Sequence, residues 1–364
     1  MTVSFCSATL AMMNLAATAT QAWLPTLVGT YTDTDSRGIY SMLFNQETGE
    51  SELTAVTDAV NPSFVVFSND NRNVYAVNES GTDDDAVVAF RYEGIDKPLV
   101  RLNAMPTGKA PCNLLQVADH VLTANYTGGS ISDFLLETDG SIKENLTVHQ
   151  FELTGPAPDK ERQQSAHLHC VKTDPYEWRL FACDLGNDCI YTLKAVADSK
   201  HLVVDSVYRV APGSGPRHIT FDESGRHAYV VTELSGEVIV FDHWEGTLTQ
   251  VQTVTCDDCH ARGSADIHLS ADGQFLYASN RLQGDGIAIF RVDEATGLLT
   301  RVGYQPTAVH PRNFAITPNG KFLLCACRDS NCIQVFAIDK ETGLLTDTHQ
   351  SVSVPHPVCI AFEN

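Results

Sequence analysis

One frame recurs seven times along this chain, and no other feature limits the fold as strongly. Its register positions are Pro62, Pro111, His167, Pro216, Ser264, Pro311 and Pro357. Each copy reads as a strand, a turn and a second strand of alternating apolar residues, as in Pro216–Glu233 and Pro311–Arg328. His167–Asp184 is read in the same frame without a gap. A second hairpin follows, as in Glu237–Thr249, Gly286–Thr300 and Cys332–Thr346. Four short strands per unit of roughly 45–50 residues specify a propeller blade. The last copy keeps only its first strand, whereas Leu27–Thr54 supplies three strands without a first. Pairing the two termini closes a ring and removes the open sheet edge. The expectation is an all-β, seven-bladed β-propeller over residues 23–364, with four antiparallel strands per blade; an open β-solenoid would leave the split at the termini unexplained.

The 364 residues carry 24 Lys+Arg against 45 Asp+Glu, a net charge of −21. Nucleic acid and anionic membrane surfaces need a cationic face, so neither is expected as a partner. Nor does the propeller region hold an apolar run long enough to span a membrane, and no integral segment is expected there. Residues 1–22 contain no charged residue and end in the small-x-small triplets Ala17-Thr18-Ala19 and Thr20-Gln21-Ala22. That pattern suggests a secretory signal and export to the periplasm, although the basic start is missing. A frayed tail on a cytoplasmic protein is the alternative. The cysteines lie mostly in strand-like runs, where reduced cysteine packs as a small hydrophobe. Cys256, Cys259 and His260 form a CxxCH pattern, read here as a plain loop or local disulfide rather than a haem or zinc site.

In a propeller blade, the residues that start strand one and those that end strand two share a face around the central channel. Two residues after each register position stand Phe64, Asn113, His169, His218, Asp266, Asn313 and Cys359. Strand two closes on Tyr31, Glu79, Tyr126, Asp184, Glu233, Arg281 and Arg328. Structural repetition favours one residue type per column. These columns instead change charge from blade to blade, as a single asymmetric ligand demands. Arg217, Arg281, Arg312 and Arg328 converge on the funnel, and their planar donors suit carboxylate or phosphate. The alternative is a solvated rim in which they pair with Glu233, Asp266, Asp184 and Glu79. The catalytic candidates are His169 as general base, Glu233 to orient the imidazole or act as acid, and Arg217. Arg281, Arg312, Asp266, His218, His167, Asn125 and Asn313 are candidates for substrate binding. A lone histidine at a strand start also has a structural reading. No GxSxG elbow, Walker loop, HExxH or dinucleotide GxGxxG is present, and neither metal nor cofactor is expected.

The segments Leu27–Tyr40, Asn61–Glu79, Ala124–Ser132, Ala166–Val171, Gly215–Glu233, Ala265–Arg281 and His310–Leu323 together resemble the lactonase family of seven-bladed propellers. That family includes the propeller-type 6-phosphogluconolactonases and a fungal carboxy-muconate lactonizing enzyme. The resemblance implies hydrolysis of 6-phospho-D-glucono-1,5-lactone to 6-phosphogluconate in the pentose phosphate pathway. It also implies functional roles for His169, Arg217, Glu233 and Arg281, with a small anionic lactone as the partner. A lactonizing isomerase acting on an unsaturated dicarboxylate, or a non-enzymatic ligand-binding propeller, are the rival readings.

Overall fold

The computed structural model describes residues 22–176, 179–195 and 202–364. All but the last residue of the expected signal segment therefore lies outside the described part. The described residues form seven four-stranded antiparallel sheets, each built from consecutive strands except the first. Blade one combines Trp23–Thr30, Gly38–Asn45 and Ser51–Asp58 with the C-terminal strand Pro357–Phe362. Thr26 to Thr30 pair antiparallel with Phe362 to Pro357, so the two ends of the chain close the ring as the split repeat implies. The inner strand of each blade packs against that of the next, and Pro357–Phe362 packs against the inner strands of blades two and seven.

Alternation in the strands turns one apolar row toward each neighbouring blade. The buried apolar residues accordingly fall into seven clusters, one at each blade-to-blade interface. A repeated hydrogen bond reinforces three of these interfaces. The hydroxyls of Tyr75, Tyr229 and Tyr277 donate to the carbonyls of Gly140, Gly297 and Gly343 in the outer hairpin of the following blade, at 2.9–3.0 Å. Tyr229→Phe should strand the Gly297 carbonyl and cost about 1–2 kcal/mol. A lower denaturant midpoint with an unchanged slope would show this; an unchanged midpoint would mean that the bond contributes nothing.

The structure corrects the frame of blade four by one residue. Leu168 pairs with Asp184 as Pro216 pairs with Thr232. His169 therefore occupies the position of Arg217 and Arg312, and Cys170 that of His218 and Asn313. In the column of Glu233 stands Leu185, whose N–H reaches the His167 carbonyl as that of Glu233 reaches Gly215. The gap-free sequence frame places Asp184 there, but its side chain is turned into the blade. Its carboxylate accepts from the His167 and Asn187 backbone N–H groups, the Asn187 side chain and the Tyr191 hydroxyl. A slip of one residue in a strand reverses the face, so this shift redefines which blade-four groups reach the channel.

Candidate active site at the upper mouth of the channel

The site starts from a bulge. The pairing register shifts between Pro216 and His218, between Pro311 and Asn313, and between Leu168 and Cys170. An extra residue at that point bends the strand and re-aims its side chain. Arg217, Arg312 and His169 are these inserted residues. Gly215 makes the approach feasible in blade five: its φ is +64°, and a Cβ would lie 2.6 Å from Leu234 Cγ. Its N–H donates to Asp188 Oδ1 at 2.8 Å.

Glu233 is the electrostatic centre. Its Oε2 accepts from Arg217 Nε at 2.8 Å, and its Oε1 lies 2.7 Å from Arg162 Nη2 and 3.3 Å from Arg281 Nη2. Burial favours the neutral acid, but Arg281, Arg217 and Arg162 outweigh it and hold the carboxyl at about 2. Glu233 thus remains a carboxylate and has no proton to give near neutral pH. The expected bond from Glu233 to His169 is replaced by this three-arginine clamp. Burial, reinforced by Arg217 and Arg312, pushes Arg281 down to about 9 despite Glu233. The neighbouring cations act in both shifts, against burial at Glu233 and together with it at Arg281.

Two further contacts hold Arg281. Its Nε donates to the Gly263 carbonyl at 2.9 Å, and its Nη1 to His310 Nε2 at 3.3 Å. His310 Nδ1 in turn lies 3.1 Å from Asp329 Oδ2. Arg328, expected in the funnel, is instead bound to Asp329 at 2.6 Å. Arg312 differs from the others. Among the described residues its guanidinium has no hydrogen bond or ion pair; the Tyr31 ring centroid lies 5.4 Å away, and against burial the charges of Tyr31, Glu79 and Glu233 hold its pKa up. Tyr31 itself donates to Glu79 Oε2 at 2.9 Å.

The histidines divide into an oriented one and an unbonded one. Arg217 Nη1 donates to His218 Nε2 at 3.2 Å, which places the His218 proton on Nδ1, 2.8 Å from Asp266 Oδ1. Asp266 also accepts from His268 and the Asn313 amide, and from the Phe314 N–H. Burial and Arg217 bring His218 down to about 4 although Asp266 opposes them. His169 is buried, and its Nδ1 has no partner among the described residues. The Tyr126 ring packs edge-on at 5.5 Å and the His218 ring at 5.3 Å. Burial first, then Arg217, His218 and Arg312, hold its pKa well below the usual histidine value, so the ring is a neutral imidazole at pH 7.

Of the other expected residues, His167 stacks on Tyr126 at 4.4 Å, beside the site. Asn313 carries the Asp266 carboxylate and accepts from the Ile360 N–H, closing the ring at the neck of the channel. Asn125 is fully buried. Its amide is spent inside blade three on Ser130, Ser132 and Thr123. The residue that repeat columns could not supply is Arg162, which arrives on the segment joining blades three and four. That junction covers residues 151–167, whereas the others range from residues 354–356 to 256–263. The unequal spacing around Pro111 and His167 was its only sequence signal.

Below the neck, a cavity of about 400 Å³ opens to the opposite face, lined by Asn113, Cys170, His218, Asp266 and His268 among others. Cys256 is buried, Cys259 is exposed, and both are free thiols. No group of three or more metal-ligating side chains gathers among the described residues. No described helix is long and apolar enough to cross a membrane.

The fold makes this chain a seven-bladed propeller with a guanidinium-rich mouth on its channel. Residues 25–362 match the family model described as lactonase, 7-bladed beta-propeller, and the chain belongs to that family. A Bacillus subtilis protein named 6-phosphogluconolactonase is 36% identical over 347 residues, covering 92% of this chain and 97% of its own. The Pseudomonas aeruginosa periplasmic gluconolactonase is 32% identical with a TM-score of 0.88, over 94% of this chain and 99% of that one. A Bacteroides fragilis crystal structure is 47% identical with a TM-score of 0.91, over 95% and 99% of the two chains.

Proposed function

We propose that this protein hydrolyses 6-phospho-D-glucono-1,5-lactone to 6-phosphogluconate, the lactone-opening step of the pentose phosphate pathway. Family membership and the names of the relatives support lactone hydrolysis. One observation carries a substrate that brings or develops negative charge: Arg312 has no hydrogen bond or ion pair among the described residues, and it is set in a cluster where three more arginines share Glu233. Such a surplus of guanidinium donors suits a substrate that is anionic or becomes so in the reaction.

In this scheme Arg312 and Arg217 receive the lactone carbonyl, and the neutral His169 removes a proton from water as the water oxygen attacks. The arginines stabilise the resulting oxyanion. Collapse re-forms the carbonyl and breaks the ring C–O bond, the ring oxygen takes the proton from His169, and the carboxylic acid so formed releases its own proton to solvent and leaves as a carboxylate. Glu233 holds the arginines in place and does no proton transfer. A second choice of base, His218, is favoured by its Asp266 partner, but its Nε2 is occupied by Arg217. Unphosphorylated gluconolactone is the second substrate reading, favoured by the periplasmic relative and the charge-free N-terminal segment.

Arg312→Gln should lower kcat/KM for the lactone about tenfold or more, with the loss falling on kcat, because the contact strengthens as the oxyanion forms. Progress curves on the lactone and on an unsaturated dicarboxylate test both claims together. Turnover of the dicarboxylate alone would favour the isomerase, and turnover of neither would favour a binding propeller.

A further inference from the structure

We infer that residues 151–167 form a strap that adds a second compartment to the site: an anion subsite for the charged exocyclic arm of the substrate. This deepens the lactonase reading and rests on it for the identity of the ring.

The strap is anchored at its base. Asn187 Oδ1 accepts from the N–H groups of Thr154 and Gly155 at 2.6 and 3.0 Å, and its Nδ2 donates to the Glu152 carbonyl at 3.0 Å. Gln163 is fully buried and donates to the Leu185 carbonyl. Between these anchors, Asp159 Oδ1 accepts from the Glu161 and Arg162 N–H groups at 2.9 and 3.0 Å. That turn sends Arg162 to Tyr126 of blade three and Glu233 of blade five, while Asp159 Oδ2 pairs with Arg262 beside blade six. The strap therefore ties together residues from four blades.

A basin of about 670 Å³ lies against the strap, lined by Pro158, Lys160, Arg162, Gly213, Arg262 and Leu282 among others. Its volume is in the range of small-molecule sites. Lys160, Arg162 and Arg262 are cations in a chain that is otherwise strongly acidic. Of the two acids present, Asp159 is spent on Arg262 and the turn, and Glu161 remains. Arg162 uses only Nη2 for Glu233 and Tyr126, so its Nη1 and Nε donors are uncommitted among the described residues. Tyr126 links it to the imidazoles through the His167 stack and the His169 edge contact. Arg162 is thus a wall shared by the two compartments. The lactone ring occupies the funnel, and a phosphate on its side arm occupies the basin.

The test is calorimetric binding of 6-phosphogluconate and gluconate to the full chain, alongside lactone turnover. Wild type should bind the phosphorylated ligand at least tenfold more tightly. The Lys160→Gln/Arg262→Gln double variant should reduce that ratio to about threefold or less. Glu161→Gln, which removes the acid that remains in the basin, should widen it. An unchanged ratio in the double variant, with an unchanged thermal midpoint, would overturn the subsite even if lactone is hydrolysed. A strap-dependent ratio without lactone turnover would uphold the subsite and refute the lactonase reading.

Discussion

His169→Ala is expected to lower kcat by 10²–10⁴-fold, the usual contribution of a general base. The loss should appear in kcat more than in KM, because the arginines that carry the substrate remain. His169→Gln should fail similarly, since an amide of comparable size cannot take the proton. His218→Gln should cost about tenfold, by loosening Arg217; a larger loss there than at His169 would move the base to His218. The pH dependence follows from the same surroundings. Burial and the neighbouring cations hold His169 well below the usual histidine value, so the acid limb of kcat/KM should fall below pH ~6.5. An anionic substrate offsets the cations, and the acid limb of kcat should lie at higher pH than that of kcat/KM.

Glu233→Gln is expected to have the largest effect on stability. The substitution leaves Arg162, Arg217 and Arg281 around a neutral amide, and breaking a buried ion pair on one side costs about 3–5 kcal/mol. Activity should fall as well, because the three guanidinium groups lose their common anchor. The sign with pH is definite. Glu233 titrates at about 2 in the folded protein, below the ~4.3 of a free glutamate. Its contribution is therefore complete above the unfolded value and is lost as pH falls from there toward 2. Thermal midpoints of wild type and variant should differ most near neutral pH and converge on acidification. A constant gap down to pH 3 would contradict the assigned role.

The fold was legible because a ring of blades writes its architecture as a repeat, and the split at Leu27–Thr54 and Pro357–Phe362 announced the closure. The arginines were legible for the opposite reason: Arg217, Arg281 and Arg312 break the uniformity of their columns. What columns could not reveal is geometry inside one blade. Asp184 looked equivalent to Glu233 because both are acids after an apolar strand, and only the pairing of Leu168 with Asp184 exposes the slip. Asn125 belonged to a polar column, but local serines outcompeted the channel for its amide. Arg162 lies outside the repeat altogether. A side chain delivered by an insertion has no column, and only tertiary contact shows that it meets Glu233. The pairing of Glu233 with arginines rather than with His169 follows from charge: three guanidinium groups compete for one carboxylate against a neutral ring.

The most direct test of the account is the rate of opening of freshly generated 6-phospho-D-glucono-1,5-lactone, coupled to 6-phosphogluconate dehydrogenase and corrected for spontaneous hydrolysis. The wild-type protein should accelerate the opening, His169→Ala should abolish the acceleration, and Arg312→Gln should weaken it through kcat. An opening rate equal to the spontaneous one, or an acceleration that His169→Ala leaves intact, would contradict it.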